Sequence, residues 1–215
     1  MSLTFDDGPG PHTGEVLDAL ARNDLRATFF VTGENVRKRP ELARRIVADG
    51  HVIANHTDTH PQPVRGSEPF GSFDRLSSAV KKRQLEDTTR AIREVTGVEP
   101  CFFRGPGGSH FADSTGRLVR SRGMSVVHWS HDTLDYRTPA SRDKAFQSSI
   151  VRRATTPYSR HPIVLLHDAK ASPEPEAQFS SYRGNTAAAI ARIAAFYRAR
   201  GHVFTDPAGG TLPRP

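Results

Sequence analysis

Short apolar runs alternate along the chain with longer stretches whose apolar residues recur at helical spacing. In the last helical stretch, for example, Ile190, Ile193 and Tyr197 fall on one face. Glycines such as Gly50 and Gly97 close helical stretches just before the next apolar run, as left-handed caps do. Because such an alternation favours a parallel sheet covered by helices, the sequence predicts an α/β fold.

Seven strands and six helices follow from this pattern. The predicted strands are 2–5, 27–31, 51–54, 101–103, 125–129, 163–166 and 203–205. The predicted helices lie near 13–23, 40–49, 76–96, 113–122, 142–154 and 185–200. A chain of 215 residues has room for one full core but not for two ordinary domains, so we expect one domain over residues 1–215.

Composition excludes several classes of protein. No stretch approaches the roughly 18 to 20 apolar residues of a membrane span, and we expect none. The single cysteine, Cys101, excludes an internal disulfide and a multi-cysteine zinc site. The formal charge of +7 is spread along predicted helices, which is typical of solvated helix faces. It assigns no partner by itself, and we expect no nucleic acid partner.

The connections that lead from strand to helix carry most of the unusual residues. In a parallel barrel all strands point the same way, so these connections converge on one mouth. Five strand ends therefore deliver titratable side chains to one face. These side chains are Asp6, Asp7, His56, His60, Arg104, Asp132, Asp135 and His167.

Two adjacent carboxylates, Asp6 and Asp7, lie where the first strand should end. Side chains next to each other on an extended backbone point to opposite sides, so one can bind a metal while the other handles a proton. An Asp-Gly-Pro turn that merely stops the strand is the stronger reading of this segment taken alone. His56 and His60, four residues apart, change that balance, because two histidines and one carboxylate leave coordination positions open for water and substrate.

Two further strand ends carry groups suited to hydrolysis. Arg104 precedes a turn rich in glycine and proline, and its guanidinium could hold a carboxylate in the ionised form. An ordinary surface turn would explain that segment equally well. His167 ends a core strand and could donate a proton if an acidic side chain reaches it.

Taken in order, these segments resemble the five motifs of the polysaccharide deacetylases, the carbohydrate esterase family 4 enzymes built on the NodB homology domain. The resemblance runs from residue 4 to about residue 206. The matching segments are Thr4-Phe5-Asp6-Asp7-Gly8, His56-Thr57-x-x-His60, Arg104-x-Pro106, Asp132-x-x-Asp135 and the strand-end His167.

The resemblance implies a distorted (β/α)7 barrel and a set of site residues. Asp7, His56 and His60 would ligate a divalent metal, usually Zn²⁺, with Co²⁺ or another transition ion tolerated. Asp6 would be the general base that takes a proton from the attacking, metal-activated water. Arg104 would orient Asp6, and His167 would be the general acid, tuned by Asp135. The backbone amide of Gly107 would belong to the oxyanion site. Pro106 and Tyr136 would lie beside the substrate.

Some positions depart from the family pattern. Gly107 replaces a common aromatic residue, so one wall of the sugar site is expected to be missing. Tyr136 stands where tryptophan is usual, and Val164 stands where leucine is usual. The stretch 62–74 is longer than usual and is either a loop over the groove or a packed surface excursion.

The resemblance implies a monomeric hydrolase that deacetylates an N-acetylglucosamine polymer of the peptidoglycan or chitin type, secreted or associated with the cell wall. An acetyl-xylan esterase or small-amide hydrolase on the same scaffold is an alternative. A carbohydrate-binding pseudo-deacetylase is disfavoured because base, metal ligands and acid are all present. A facial triad of a non-haem iron oxygenase, His56 and Asp58 with His110 or His128, is disfavoured by the helix-rich pattern.

Overall fold

The structure is a computed structural model that describes residues 1–61, 73–108, 113–171 and 180–212. Its seven strands are all parallel and are ordered β5-β4-β3-β2-β1-β7-β6. The strands are β1 (Ser2–Asp6), β2 (Thr28–Val31), β3 (Val52–Asn55), β4 (Phe102–Phe103), β5 (Ser125–Val126), β6 (His131–Asp132) and β7 (Ile163–His167). The α-helices are α1 (Thr13–Arg22), α2 (Gly33–Lys38), α3 (Pro40–Ala48), α4 (Ser78–Thr96), α5 (Asp113–Arg120), α6 (Lys144–Thr155) and α7 (Gly184–Arg198).

The central strands are buried on both faces, as the apolar runs predict. All five residues of β1 are buried, and the Phe5 ring stacks on Phe29 of β2 with ring centroids 5.1 Å apart. The register of β1 with its neighbours places Asp6 level with Phe30 on one side and His167 on the other. Two strand ends that carry chemical groups therefore lie side by side at the same edge of the sheet.

The sheet must curl, because β5 and β6 form its opposite edges but are joined by only four residues, 127–130. Six strand spacings of about 4.8 Å would separate the edges of a flat sheet by about 29 Å. The five Cα steps from Val126 to His131 span at most about 18 Å. The linker also bridges the gap with hydrogen bonds, from Val127 N to Phe103 O (2.8 Å) and from Ser130 N to Ile163 O (2.9 Å). The result is a curled half-barrel.

The α/β fold with a distorted seven-stranded barrel is thus confirmed, but individual elements differ from the prediction. The predicted strand 125–129 is divided into β5 and part of the linker to β6. The predicted strand 203–205 contributes a single bridge, between Thr205 and Thr211, although Thr205 N also donates to Met1 O. The six-residue helix α2 was not predicted because it is too short to show a helical period. Within the described ranges, no helix is long and apolar enough to cross a membrane.

Candidate metal centre and active site

Asp6 and Asp7 at the end of β1 contact different partners. The Asp6 carboxylate accepts a hydrogen bond from Arg104, whereas the Asp7 carboxylate faces His56 and His60. Asp7 has a left-handed backbone conformation with φ of 75°, which an aspartate rarely adopts. This conformation is fixed on both sides, because Asp7 N donates to Phe30 O and Asn35 Nδ2 donates to Asp7 O at 2.7 Å.

Asp7, His56 and His60 form a buried cluster whose ligand atoms lie within 4.8 Å of one another. Asp7 Oδ1 is 3.4 Å from Nε2 of each histidine, and it has no hydrogen-bond partner among the described residues. His56 Nδ1 donates to Arg104 O at 2.7 Å, which leaves the Nε2 lone pair directed at Asp7. An orphaned buried carboxylate oxygen between two imidazole nitrogens fits a divalent cation.

The protonation states of Asp7 and His60 suit metal binding, whereas at His56 burial is outweighed by the carboxylates of Asp6 and Asp7, which raise the pKa of its imidazole. Burial favours the neutral acid at Asp7, but the facing imidazoles of His60 and His56 outweigh it and hold the pKa of this carboxyl well below its usual range. Burial lowers the pKa of His60 to about 4. At neutral pH Asp7 therefore offers an ionised carboxylate and His60 a neutral imidazole, the forms that ligate metals.

Helix α4 holds the turn that carries the two histidines. Thr57 and His60 have left-handed φ values of 70° and 48°, so this turn needs support. Gln84 supplies it: its Oε1 accepts hydrogen bonds from Asp58 N (2.9 Å) and Thr59 N (3.0 Å), and its Nε2 donates to Thr59 Oγ1. The first residues of α2 donate to the carbonyls of Thr57 and Asp58 from the other side.

We expect Gln84→Leu to weaken metal binding about 10- to 100-fold, because outer residues that orient ligands carry effects of that size. Gln84→Glu keeps an acceptor for both backbone amides and should stay near the wild-type affinity. Competition with a chromophoric chelator measures both variants. A wild-type affinity for Gln84→Leu would show that the turn does not need this support.

Arg104 is buried, with 1% of its surface exposed, and it fixes the orientation of Asp6. Its Nη1 donates to Asp6 Oδ1 at 2.7 Å and to Thr4 Oγ1 at 2.9 Å. Its Nη2 donates to His128 O, and its Cζ lies 4.2 Å from the centre of the Phe30 ring. Such a buried, charge-assisted pair leaves the Asp6 carboxylate little rotational freedom.

His167 at the end of β7 is paired with Asp135. Its Nδ1 lies 2.7 Å from Asp135 Oδ1, and its backbone N donates to Asp135 Oδ2. Thr186 of α7 donates to the same Oδ2 at 2.7 Å. Burial disfavours the imidazolium, but the Asp135 carboxylate outweighs burial and raises the pKa of His167 to about 10. His167 is therefore charged at neutral pH and can donate a proton.

Asp135→Asn should move the alkaline limb of the pH–activity profile down by at least about one pH unit. The reason is that the raised pKa of His167 requires the carboxylate, whereas burial alone lowers it. The proton donor would then be lost as the pH rises through a lower value. Both proteins are measured metal-loaded. An unchanged alkaline limb would contradict the pairing as the source of the raised pKa.

The remaining predicted residues lie around this mouth. Pro106 and Gly107 belong to a short 3₁₀ turn, Pro106–Gly108, that follows β4, with Pro106 buried and Gly107 exposed. Tyr136 is partly exposed and meets the His167 ring edge-on, with centroids 5.5 Å apart. Asp132, in contrast, accepts a hydrogen bond from Leu134 N and so caps its own turn.

Several contributing residues were missed by sequence reasoning. Asn35, Gln84 and Thr186 each make a hydrogen bond described above, and no local pattern marks them. Asp168, next to His167, is buried with its Oδ2 2.5 Å from Thr13 Oγ1, and burial with the neighbouring carboxylates raises its pKa to about 7. In the sequence, Asp168 could have been noticed only as a polar residue directly after a core strand.

Two of the predictions from sequence concern residues 62–72 and 109–112, which lie outside the described residues. They include most of the 62–74 stretch and His110 of the iron-binding alternative. Phe73, at the end of that stretch, is buried against Phe103. The parallel α/β architecture argues against the iron alternative, whose chemistry usually occurs in an all-β jelly roll.

The comparison with protein families matches residues 1–127 to the family described as polysaccharide deacetylase. The chitooligosaccharide deacetylase of Sinorhizobium fredii is 35% identical over 206 residues, which cover 94% of this chain and 86% of that protein.

Two solved structures share the fold over nearly the whole chain. A peptidoglycan N-acetylglucosamine deacetylase superposes with a TM-score of 0.80 at 25% identity, over 99% of this chain and 88% of that one. A family 4 carbohydrate esterase from Streptomyces lividans, in complex with acetate, gives a TM-score of 0.75 at 29% identity, over 100% of this chain and 97% of that one.

Proposed function

The chain belongs to the polysaccharide deacetylase family, and we propose that it removes acetyl groups from N-acetylglucosamine units of a peptidoglycan- or chitin-type polysaccharide. The two substrate types follow the names of its relatives. The observation that carries the proposal is the juxtaposition, at one mouth, of an Asp-His-His cluster, an arginine-bound aspartate and an aspartate-bound histidine.

We propose that Asp7, His56 and His60 hold Zn²⁺, because two imidazole nitrogens and one carboxylate oxygen are common ligands of catalytic zinc. When bound, such an ion polarises the acetyl carbonyl and lowers the pKa of a coordinated water. The cluster leaves further coordination positions to water and substrate.

Asp6 is the proposed general base. Arg104 engages its Oδ1, while its Oδ2 lies 3.8 Å from His56 Nε2 and therefore faces the cluster. That second oxygen is placed to accept the proton of a water that attacks the acetyl carbon. The Gly107 backbone amide, on the exposed turn after β4, would donate a hydrogen bond to the oxyanion.

His167 is the proposed general acid. An amine is a poor leaving group unless its nitrogen is protonated as the C–N bond breaks. The charged imidazole supplies that proton. His167 is held by Asp135 and lies on β7, the strand next to the one that carries Asp6. The proposed base, Asp6, and the proposed acid, His167, thus lie at the ends of neighbouring strands.

We further propose that residues 1–215 form one catalytic domain that acts, as a monomer, outside the cytoplasm or at the cell wall. The peptidoglycan in the name of one similar solved structure supports the location. The basic surface would suit a wall that carries acidic groups.

The proposal is tested by acetate release from N-acetylglucosamine oligomers, peptidoglycan and acetylated xylan, with ring opening of a small cyclic amide followed in parallel. We expect release from the first two substrates with metal-loaded protein, and none after treatment with a chelator. Release from xylan alone would indicate an esterase. Ring opening of the cyclic amide without acetate release from any sugar would indicate a small-amide hydrolase, and sugar binding without acetate release would indicate a sugar-binding protein.

A further inference from the structure

Trp129 is the single tryptophan of the chain and lies in the linker 127–130 that bridges the two edges of the sheet. The Arg104 Cζ is 5.5 Å from the centre of its ring. The same guanidinium contacts Phe30, so aromatic rings from two different segments flank it. Phe30 is completely buried, whereas Trp129 is partly exposed. The indole is therefore the ring of this group that meets solvent.

Gly108 makes room for this indole. A Cβ at residue 108 would overlap Trp129 Cη2 and lie 2.9 Å from Cζ2, and its φ of 69° also disfavours other residues. Gly107 before it adds no side chain either. Gly107 and Gly108 thus contribute only backbone, and the indole of the linker packs against this part of the turn.

The Trp129 ring lies close to the residues proposed to carry out the chemistry. Arg104 joins the indole to Asp6, with which it makes a 2.7 Å ion pair. Gly108, on which the indole packs, follows the proposed oxyanion residue Gly107. A partly exposed aromatic side chain at such a place offers a flat apolar surface directly beside the reacting amide.

We propose that the Trp129 indole binds the apolar face of the pyranose ring whose acetyl group is removed, and so sets specificity for a sugar substrate. The inference rests on the proposed function. An aromatic ring suits this role because its large, rigid apolar face loses little conformational freedom on binding, while its N–H stays available for a polar contact. The competing explanation is that Trp129 only shields the Arg104–Asp6 pair from water.

Intrinsic fluorescence tests the contact directly, since all tryptophan emission comes from residue 129. Metal-loaded Asp6→Asn protein, which should not turn over, is titrated with an N-acetylglucosamine pentamer. We expect a blue shift and about a twofold loss of acrylamide quenching, because the bound sugar covers the exposed part of the ring. Unchanged emission and quenching at pentamer concentrations that saturate wild-type acetate release would overturn the proposal.

Kinetics of Trp129→Leu and Trp129→Phe separate binding from shielding. Leucine keeps apolar cover over Arg104 but removes the flat ring, so KM for the pentamer should rise about tenfold, with a smaller effect on kcat, and phenylalanine should largely restore KM. A lower kcat with unchanged KM would instead indicate shielding of Asp6 and overturn the proposal.

Failure of this inference is distinguishable from failure of the proposed function. Acetate release by the wild type without a fluorescence response contradicts only the role of Trp129. A fluorescence response without acetate release from any sugar supports the contact and contradicts the deacetylase. Absence of both contradicts both.

Discussion

Asp6→Asn is expected to lower kcat for acetate release about 10³-fold, which is within the range for loss of a general base. Asparagine has the same shape and can still accept a hydrogen bond from Arg104, so the local structure should persist. It cannot accept the proton of the attacking water. Metal affinity should stay near that of the wild type, because Asp7, not Asp6, belongs to the cluster.

Asp132→Asn is the matched control for this variant. Asp132 also ends a strand, β6, but its carboxylate accepts a hydrogen bond from the backbone N–H of Leu134, and an asparagine side chain can accept the same bond. Its kcat should remain near the wild-type value. If Asp6→Asn kept more than about a tenth of the wild-type kcat, Asp6 would not be the base.

His167→Asn should have an effect that depends on the leaving group. For N-acetylglucosamine oligomers we expect kcat to fall about 10³-fold, because the amine then leaves without a proton donor. For 4-nitrophenyl acetate the loss should be no more than about tenfold, since nitrophenolate leaves without protonation.

Parallel assays of the two substrates on metal-loaded protein give this comparison. His161→Asn serves as the control, because His161 is exposed in the loop that precedes β7. It should leave both rates unchanged. Equal losses for amide and nitrophenyl ester in His167→Asn would show that His167 positions substrate or metal and does not act as the acid.

The features that could be predicted from sequence are those set by chain order and period. The alternation of strands and helices gives the parallel sheet. The direction common to all strands then brings Asp6, His56, Arg104 and His167 to one mouth without knowledge of any side-chain contact. The separation of Asp6 from Asp7 was also predicted, but its cause differs from the expected extended backbone, because Asp7 lies beyond β1 in a left-handed conformation.

The features that could not be predicted depend on contacts between distant segments. Strands β5 and β6 have two residues each, so pairing with their neighbours defines them, not their own pattern. The support of the histidine turn by Gln84 and the packing of Trp129 on Gly108 join residues that no local period connects. The absence of an aromatic side chain at residue 107 is visible in the sequence, whereas the contact of the Trp129 ring with Gly108 is not.

The proposed function requires the Asp7, His56 and His60 cluster to hold one catalytic metal ion. Titration of metal-stripped protein with Zn²⁺, with acetate release from an N-acetylglucosamine oligomer as the readout, tests this requirement. We expect activity to rise in proportion to added metal and to saturate at about one equivalent per chain, and we expect His60→Ala to abolish this response. Full activity of protein shown to be free of metal would contradict it.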